Sequence, residues 1–180
     1  MRACALLRII YAMTSEPNHR WQFLKAVLRQ PTIVGAIAPS STGVAAELAA
    51  VVPKVGSPVV VELGPGTGSV TDAIGARLPA GGRHLAVEVD GELVKHLRRT
   101  RPHVETLWGD AGDLKALLAS AEVDRVDAVV CALPWSLIGE GKQREILDQI
   151  AAVLVPGAVV SDLPIPMLTG CRGRATSAVH

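Results

Sequence analysis

Aromatic residues make up only 3% of the 180-residue sequence. A core must therefore be built mostly from aliphatic side chains, which the 49% hydrophobic content supplies for one domain. The three cysteines, Cys4, Cys131 and Cys171, are odd in number, widely spaced and without a histidine at ligand spacing. This pattern argues against a disulfide framework and a metal site, and it favours a reducing, cytoplasmic location.

The sequence also lacks an apolar run of the roughly 18 residues that a membrane-spanning helix needs. Its net charge of +1 is unevenly distributed, because residues 1–31 hold five basic residues and one acidic residue. The remaining residues are slightly acidic. A basic leading segment predicts an anionic partner for the N-terminus, although a solvated helix face is an equal alternative.

Short β-branched apolar runs alternate with mixed polar and apolar stretches, which predicts repeated strand–helix units. The fold expected is α/β, a Rossmann-like, doubly wound and mostly parallel sheet preceded by N-terminal helices. We place one domain at 20–164, an extension without predicted order at 1–19 and an irregular tail at 165–180. The predicted strands are 58–63, 84–89, 104–108, 126–133 and 158–163, and the predicted helices are 20–29, 42–52, 69–78, 91–100, 111–120 and 142–154.

A glycine-rich turn, Gly64-Pro65-Gly66-Thr67-Gly68, joins the first of these strands to the helix that follows. Glycines let a ligand approach the main chain closely. The spacing G-x-G-x-G differs from the G-x-G-x-x-G of dinucleotide sites, and the triphosphate-loop signature is absent. Glu62 directly precedes the glycines, where it disfavours a phosphate and favours a ligand with a cationic amino group.

Acidic residues also follow the next two predicted strands. Glu88 is placed to accept hydrogen bonds from two ribose hydroxyls, and Asp90 to cap the next helix. Asp110, followed by Ala111, is placed to accept a hydrogen bond from an adenine amino group. Each acid alone has a capping or surface role as its alternative, but together they predict a nucleoside-type site at one sheet edge. The five histidines are scattered and are expected at the surface.

At these residues the chain resembles class I S-adenosylmethionine-dependent methyltransferases. Residues 60–68 (VVELGPGTG), 86–90 (AVEVD), 109–114 (GDAGDL) and 131–136 (CALPWS) are similar to the family's first four motifs. The resemblance implies S-adenosylmethionine as cofactor, with the methyl acceptor positioned by Leu133, Pro134 and Trp135. The implied cofactor-binding residues are Glu62, Gly64, Pro65, Gly66, Gly68, Glu88, Asp110 and Ala111.

Two subgroups of this family differ in the acceptor motif. Ribosomal RNA adenine dimethyltransferases carry Asn-Leu-Pro-Tyr or Asn-Leu-Pro-Phe, whereas Ala132 takes the place of the Asn here. An unpaired buried amine costs about 1–3 kcal/mol, which disfavours adenine and nucleic acid. An RNA or small-molecule methyltransferase remains the alternative.

Bacterial phospholipid N-methyltransferases resemble this chain more closely, at residues 23–31, at 34–41 and at the Leu133-Pro134 pair. They imply a phospholipid amine such as phosphatidylethanolamine as substrate, at the inner face of the membrane. A helix at 20–29 would then place its basic residues on lipid phosphates, or it would simply pack on the sheet. Trp135 would shelter an ammonium by cation–π attraction, with core packing as its alternative.

The C-terminus departs from the family pattern. Class I methyltransferases usually end in an antiparallel pair of strands, and only 17 residues follow position 163 here. An uncovered sheet edge would invite self-association. The sequence therefore leaves a further alternative, a truncated protein that binds cofactor or lipid without turnover.

Overall fold

A computed structural model describes residues 42–135 and 138–162. The predicted extension 1–19, the helix 20–29 and the tail 165–180 lie outside these residues. The elements in chain order are α1 (Thr42–Leu48), a 3-10 turn (Ala49–Val51), β1 (Val59–Leu63), α2 (Ser69–Gly75), β2 (Arg83–Glu88), α3 (Gly91–Thr100), β3 (Glu105–Trp108), a 3-10 turn (Ala111–Asp113), α4 (Leu114–Ser120), β4 (Val126–Cys131), α5 (Glu140–Val153) and β5 (Leu154–Asp162).

All five strands are parallel, in the order β3-β2-β1-β4-β5. The chain moves outward from β1 to β3 and then crosses to β4 on the other side of β1. Such a reversal opens a crevice at the carboxyl ends of β1 and β4, where ligands bind in α/β sheets. The Rossmann-like α/β prediction is confirmed.

Both faces of the sheet are covered, because alternate residues of a strand point to opposite faces. Val61 and Leu63 of β1 belong to a buried cluster with side chains of α4 and α5. Val60 belongs to a second cluster that includes residues of α1 and α2. β1 is therefore buried along its whole length, and Glu62 is carried into the interior with it.

Element boundaries differ from the prediction at both the amino and the carboxyl ends of the elements. β4 ends at Cys131, two residues early: the Ala132 N–H makes the last bond to β1, to Leu63 O at 2.9 Å, and Pro134 has no N–H to continue the ladder. The predicted helix 111–120 begins as a 3-10 turn capped by Asp110. β5 starts directly after α5 and takes an irregular register against β4 around Gly157, whose φ is +84°.

β5 forms one edge of the described sheet, where the Val159 and Val160 side chains are 48% and 40% exposed. Self-association through this edge stays a prediction. None of the helices within the described ranges is both long and apolar enough to cross a bilayer.

Candidate functional site

The glycine turn between β1 and α2 has a backbone that other residues would strain. Gly64, Gly66 and Gly68 have φ values of +73°, +57° and +95°, a region that L side chains rarely adopt. The Gly64 N–H donates to Val87 O at 3.1 Å, which fastens the turn to β2. Apart from its chain neighbours, no described residue has an atom within 4 Å of the position that a Cβ on Gly66 would take, so this side of the turn is open in the described part of the chain.

Glu62 lies behind the turn with no solvent exposure. Its Oε2 accepts a hydrogen bond from Thr71 Oγ1 at 2.8 Å and lies 3.1 Å from His84 Nε2. Its Oε1 has no hydrogen-bond partner among the described residues. A buried carboxylate oxygen without a partner is costly, and a cationic amino group would satisfy it.

His84 corrects the expectation that the histidines lie at the surface, because it is only 4% exposed. It stands on β2 opposite Val60, and its side chain lies on the same face as Glu62. The sequence offered one signal for this position, since His84 is the second residue of β2 and directly precedes the apolar run Leu85-Ala86-Val87. Thr71 was not predicted as a site residue.

Glu88 links the glycine turn to the end of β2. Its Oε2 accepts from the Gly66 N–H at 3.2 Å, and its Oε1 accepts from the Asp90 N–H at 2.9 Å. The side chain is 3% exposed, and burial raises the pKa of the Glu88 carboxyl despite these hydrogen bonds. Asp90 caps α3 by accepting from the Glu92 N–H at 2.8 Å, which confirms its predicted role.

Asp110 has the capping role that was its alternative. Its Oδ1 accepts from the Gly112 N–H at 2.7 Å and pairs with Lys142 Nζ at 2.9 Å. Lys142 also binds Glu145 Oε1 at 2.9 Å. Burial lowers the pKa of Lys142, but the two carboxylates outweigh it and raise the pKa overall. Both contacts of Asp110 use Oδ1, so Oδ2 can still accept from a ligand.

The segment after β4 is held by packing. Leu133 and Trp135 are 8% and 4% exposed and belong to the core. A Cβ on Gly64 would come within 2.8 Å of Leu133 Cδ2, so this side chain lies directly on the glycine turn. Gln143 of α5 donates from Nε2 to Trp135 O at 2.9 Å and to Ile138 O at 2.8 Å.

Gln143 was not predicted, since a glutamine within a mixed helical run gives no sequence signal. Pro134, between Leu133 and Trp135, is partly buried. The structure thus brings Leu133, one of the predicted acceptor residues, against the predicted cofactor turn. Within the described residues, no three metal-ligating side chains gather into a group that would hold a metal ion.

Comparison with known proteins decides the family. The model of a methyltransferase domain matches residues 60–157, which is more than half of the chain. The chain belongs to the methyltransferase domain family. It is an S-adenosylmethionine-dependent methyltransferase, as the motifs at residues 60–68 and 86–90 indicate.

Individual relatives agree with this assignment. The methyltransferase is 28% identical over 144 residues to an ornithine lipid N-methyltransferase of Singulisphaera acidiphila, covering 78% of this chain and 75% of the relative. An O-methyltransferase structure from Bacillus cereus, in complex with S-adenosylhomocysteine, superposes with a TM-score of 0.57 at 17% identity, covering 87% of this chain and 70% of that one.

A TehB-like S-adenosylmethionine-dependent methyltransferase from Corynebacterium glutamicum superposes with a TM-score of 0.52 at 16% identity, covering 81% of this chain and 73% of that one. At these identities the two structures establish the fold alone. The residues of this chain fit the cofactor, because the open side of Gly66 and the unpartnered Oε1 of Glu62 suit a close-lying ligand with a cationic amino group.

Proposed function

We propose that this methyltransferase N-methylates the amine of a phospholipid such as phosphatidylethanolamine. The observation that carries the proposal is the similarity to the ornithine lipid N-methyltransferase over 78% of the chain. The acceptor of that relative is, by its name, a lipid, and the atom that receives the methyl group is nitrogen. The departure from the adenine pattern at Ala132 supports the same choice.

The cofactor site of the proposal lies at the carboxyl ends of β1, β2 and β3. Glu62 faces the cationic amino group, Glu88 accepts from the ribose hydroxyls, and Asp110 accepts from the adenine amino group through Oδ2. The glycine turn lets the ligand approach the main chain. The full set of proposed cofactor-binding residues is Glu62, Gly64, Pro65, Gly66, Gly68, Glu88, Asp110 and Ala111.

The acceptor site of the proposal lies at the end of β4. When bound, S-adenosylmethionine supplies a methyl group to an uncharged amine nitrogen, leaving S-adenosylhomocysteine and a proton. Leu133 and Trp135 form an apolar wall beside the glycine turn and keep water away, and the Pro134 carbonyl accepts a hydrogen bond from the amine. Alignment and exclusion of water supply most of the acceleration in this proposal.

The proposal also includes a peripheral membrane location. Residues 20–29, which lie outside the described residues, carry Arg20, Lys25 and Arg29 among apolar side chains. A helix of this composition binds an anionic surface through its cations and inserts its apolar side into the acyl boundary.

A methyl-transfer assay on vesicles tests the proposed substrate. The full chain is incubated with methyl-labelled S-adenosylmethionine and vesicles of phosphatidylethanolamine, with phosphatidylcholine vesicles, which have no free amine, as the control. We expect labelled N-methylated lipid in the phosphatidylethanolamine vesicles and no label in the lipid of the phosphatidylcholine control vesicles. Transfer to RNA with no transfer to the lipid amine would refute the proposal, and flotation with anionic vesicles at low salt tests the basic helix separately.

A further inference from the structure

We infer that Arg101 and Asp72 form a clasp that positions the glycine turn for the cofactor. Arg101 follows the last residue of α3, and Asp72 lies in the first turn of α2. The inference deepens the proposed function, because it rests on the cofactor being bound at the turn between β1 and α2. Neither residue belongs to the motifs that indicated the family.

The contacts of Arg101 engage the whole guanidinium group. Nε donates to Asp72 Oδ1 at 2.7 Å and Nη2 donates to Oδ2 at 2.6 Å, a bidentate pair. Nη1 donates to Thr100 Oγ1 at 3.0 Å. Since each of the three nitrogens is already bonded, Arg101 acts through the turn that it supports and is a positioning residue.

The guanidinium lies directly on Gly68. A methyl group there would overlap the Cζ, Nε and Nη1 atoms of Arg101. The Gly68 N–H donates to Pro65 O at 2.9 Å, and its carbonyl accepts from the Asp72 N–H at 3.1 Å. Arg101 therefore touches the last glycine of the turn and pairs with Asp72, whose N–H makes the first hydrogen bond of α2. The absence of a side chain at Gly68 leaves room for the Arg101 guanidinium.

The positive charge of Arg101 and its bidentate contact with Asp72 should have opposite effects on the affinity for a ligand with a cationic amino group. The hydrogen bonds from Arg101 lower the pKa of Asp72, and the bond to Asp72 raises the pKa of Arg101, with a smaller contribution from the charge of Glu62. A positive charge near Glu62 opposes a cationic amino group, whereas a fixed turn favours binding. Changing charge and geometry separately distinguishes the two.

The chain contains a matched control pair. Arg83 at the start of β2 donates from Nε and Nη2 to the two carboxylate oxygens of Glu105 at 2.9 and 2.8 Å. This pair has the same bidentate chemistry, but it lies at the amino end of the sheet, opposite the carboxyl edge that carries the glycine turn. Its loss should change stability without changing the cofactor site.

The experiment titrates the full chain calorimetrically with S-adenosylhomocysteine and follows thermal unfolding of the same samples. Arg101→Lys keeps the charge and loses the bidentate geometry, and Asp72→Asn removes the partner. We expect each to raise the Kd on the order of tenfold. Arg83→Lys and Glu105→Gln should keep the wild-type Kd, even if they lower Tm as much as the Arg101→Lys and Asp72→Asn variants do.

Three results would overturn the inference. These are a wild-type Kd for both Arg101→Lys and Asp72→Asn, tighter binding by Arg101→Met, which would leave only a charge effect, or an equal rise in Kd for the control pair. The proposed cofactor site is tested apart from the clasp by Glu88→Ala. An unchanged Kd in that variant rejects the site itself, whereas a raised Kd in Glu88→Ala with wild-type binding in the clasp variants rejects the clasp alone.

Discussion

The cofactor half and the acceptor half of the carboxyl edge are held in different ways. In the cofactor half, carboxylates near the ends of β1 and β2 accept hydrogen bonds, Glu62 from the Thr71 hydroxyl and Glu88 from the Gly66 and Asp90 N–H groups. In the acceptor half, the segment after β4 is held by buried side chains and by one amide, Gln143.

The difference shows where each half gets its specificity. Polar groups held in place by backbone donors select a ligand with matching polar groups. An apolar wall selects a ligand by its shape and excludes water. The two halves meet where Leu133 lies on Gly64. α5 also reaches the cofactor half, through the pair of Lys142 with Asp110. A change at the contact between Leu133 and Gly64 should therefore disturb both halves.

Gly64→Ala should have the largest effect, because it disturbs both halves at once. The new methyl group would meet Leu133 Cδ2 at 2.8 Å while the backbone keeps a φ of +73°. We expect a loss of about 2–4 kcal/mol in the free energy of unfolding, measured by urea denaturation. Gly56→Ala is the control, since it has a φ of +81° and nothing within 4 Å; an equal loss there would show that the contact with Leu133 is unimportant.

Glu88→Ala should break the cofactor half alone. It removes the proposed acceptor of the ribose hydroxyls and the anchor of the Gly66 N–H. We expect the Kd for S-adenosylhomocysteine to rise on the order of 30-fold, as measured by calorimetry. If the alanine variant binds as tightly as wild type, the ribose assignment is wrong.

Gln143→Leu should disturb the acceptor half alone. The carbonyls of Trp135 and Ile138 lose their shared donor, so we expect the KM for the lipid acceptor to rise by about 5- to 10-fold. The Kd for the cofactor should stay unchanged. Gln149→Leu is a control on the same helix, because Gln149 Oε1 accepts from the Lys115 N–H, at 3.0 Å; a matching rise in KM there would point to α5 as a whole.

Lowering the pH should weaken the cofactor half by the smallest amount. Burial raises the pKa of Glu88 above the usual 4.5, and the nearby Asp90 charge adds to the shift. The carboxylate thus takes up a proton at a pH above 4.5, and an acceptor for the ribose is lost. We expect the Kd to rise as the pH falls from about 7.5 to about 5, and Glu88→Gln to bind weakly without this dependence.

Residues whose role follows from local chemistry could be predicted from the sequence. The β-branched runs predict the five strands. The glycines predict the turn with its positive φ values, and an acid directly before a helix predicts the capping by Asp90. The meeting of Glu62, Glu88 and Asp110 at one edge follows from the parallel order of the strands that carry them.

Residues whose role depends on a neighbouring element could not be predicted. His84 faces Glu62 only because β2 pairs with β1 in this register. Arg101 reaches Gly68 because the end of α3 lies within hydrogen-bonding distance of Asp72 in α2, and Gln143 reaches Trp135 because the first turns of α5 lie against the segment after β4. No local pattern contains the distances that make these contacts.

The most direct measurement of the cofactor site follows the backbone amide signals of the glycines by NMR during titration with S-adenosylhomocysteine. We expect the signals of Gly64, Gly66 and Gly68 to shift and saturate together, while Gly56 and Gly82, before β1 and β2 at the opposite edge, stay in place. Saturable shifts at Gly56 or Gly82 without shifts in the turn, or no shifts at millimolar ligand, would contradict a cofactor site at the end of β1.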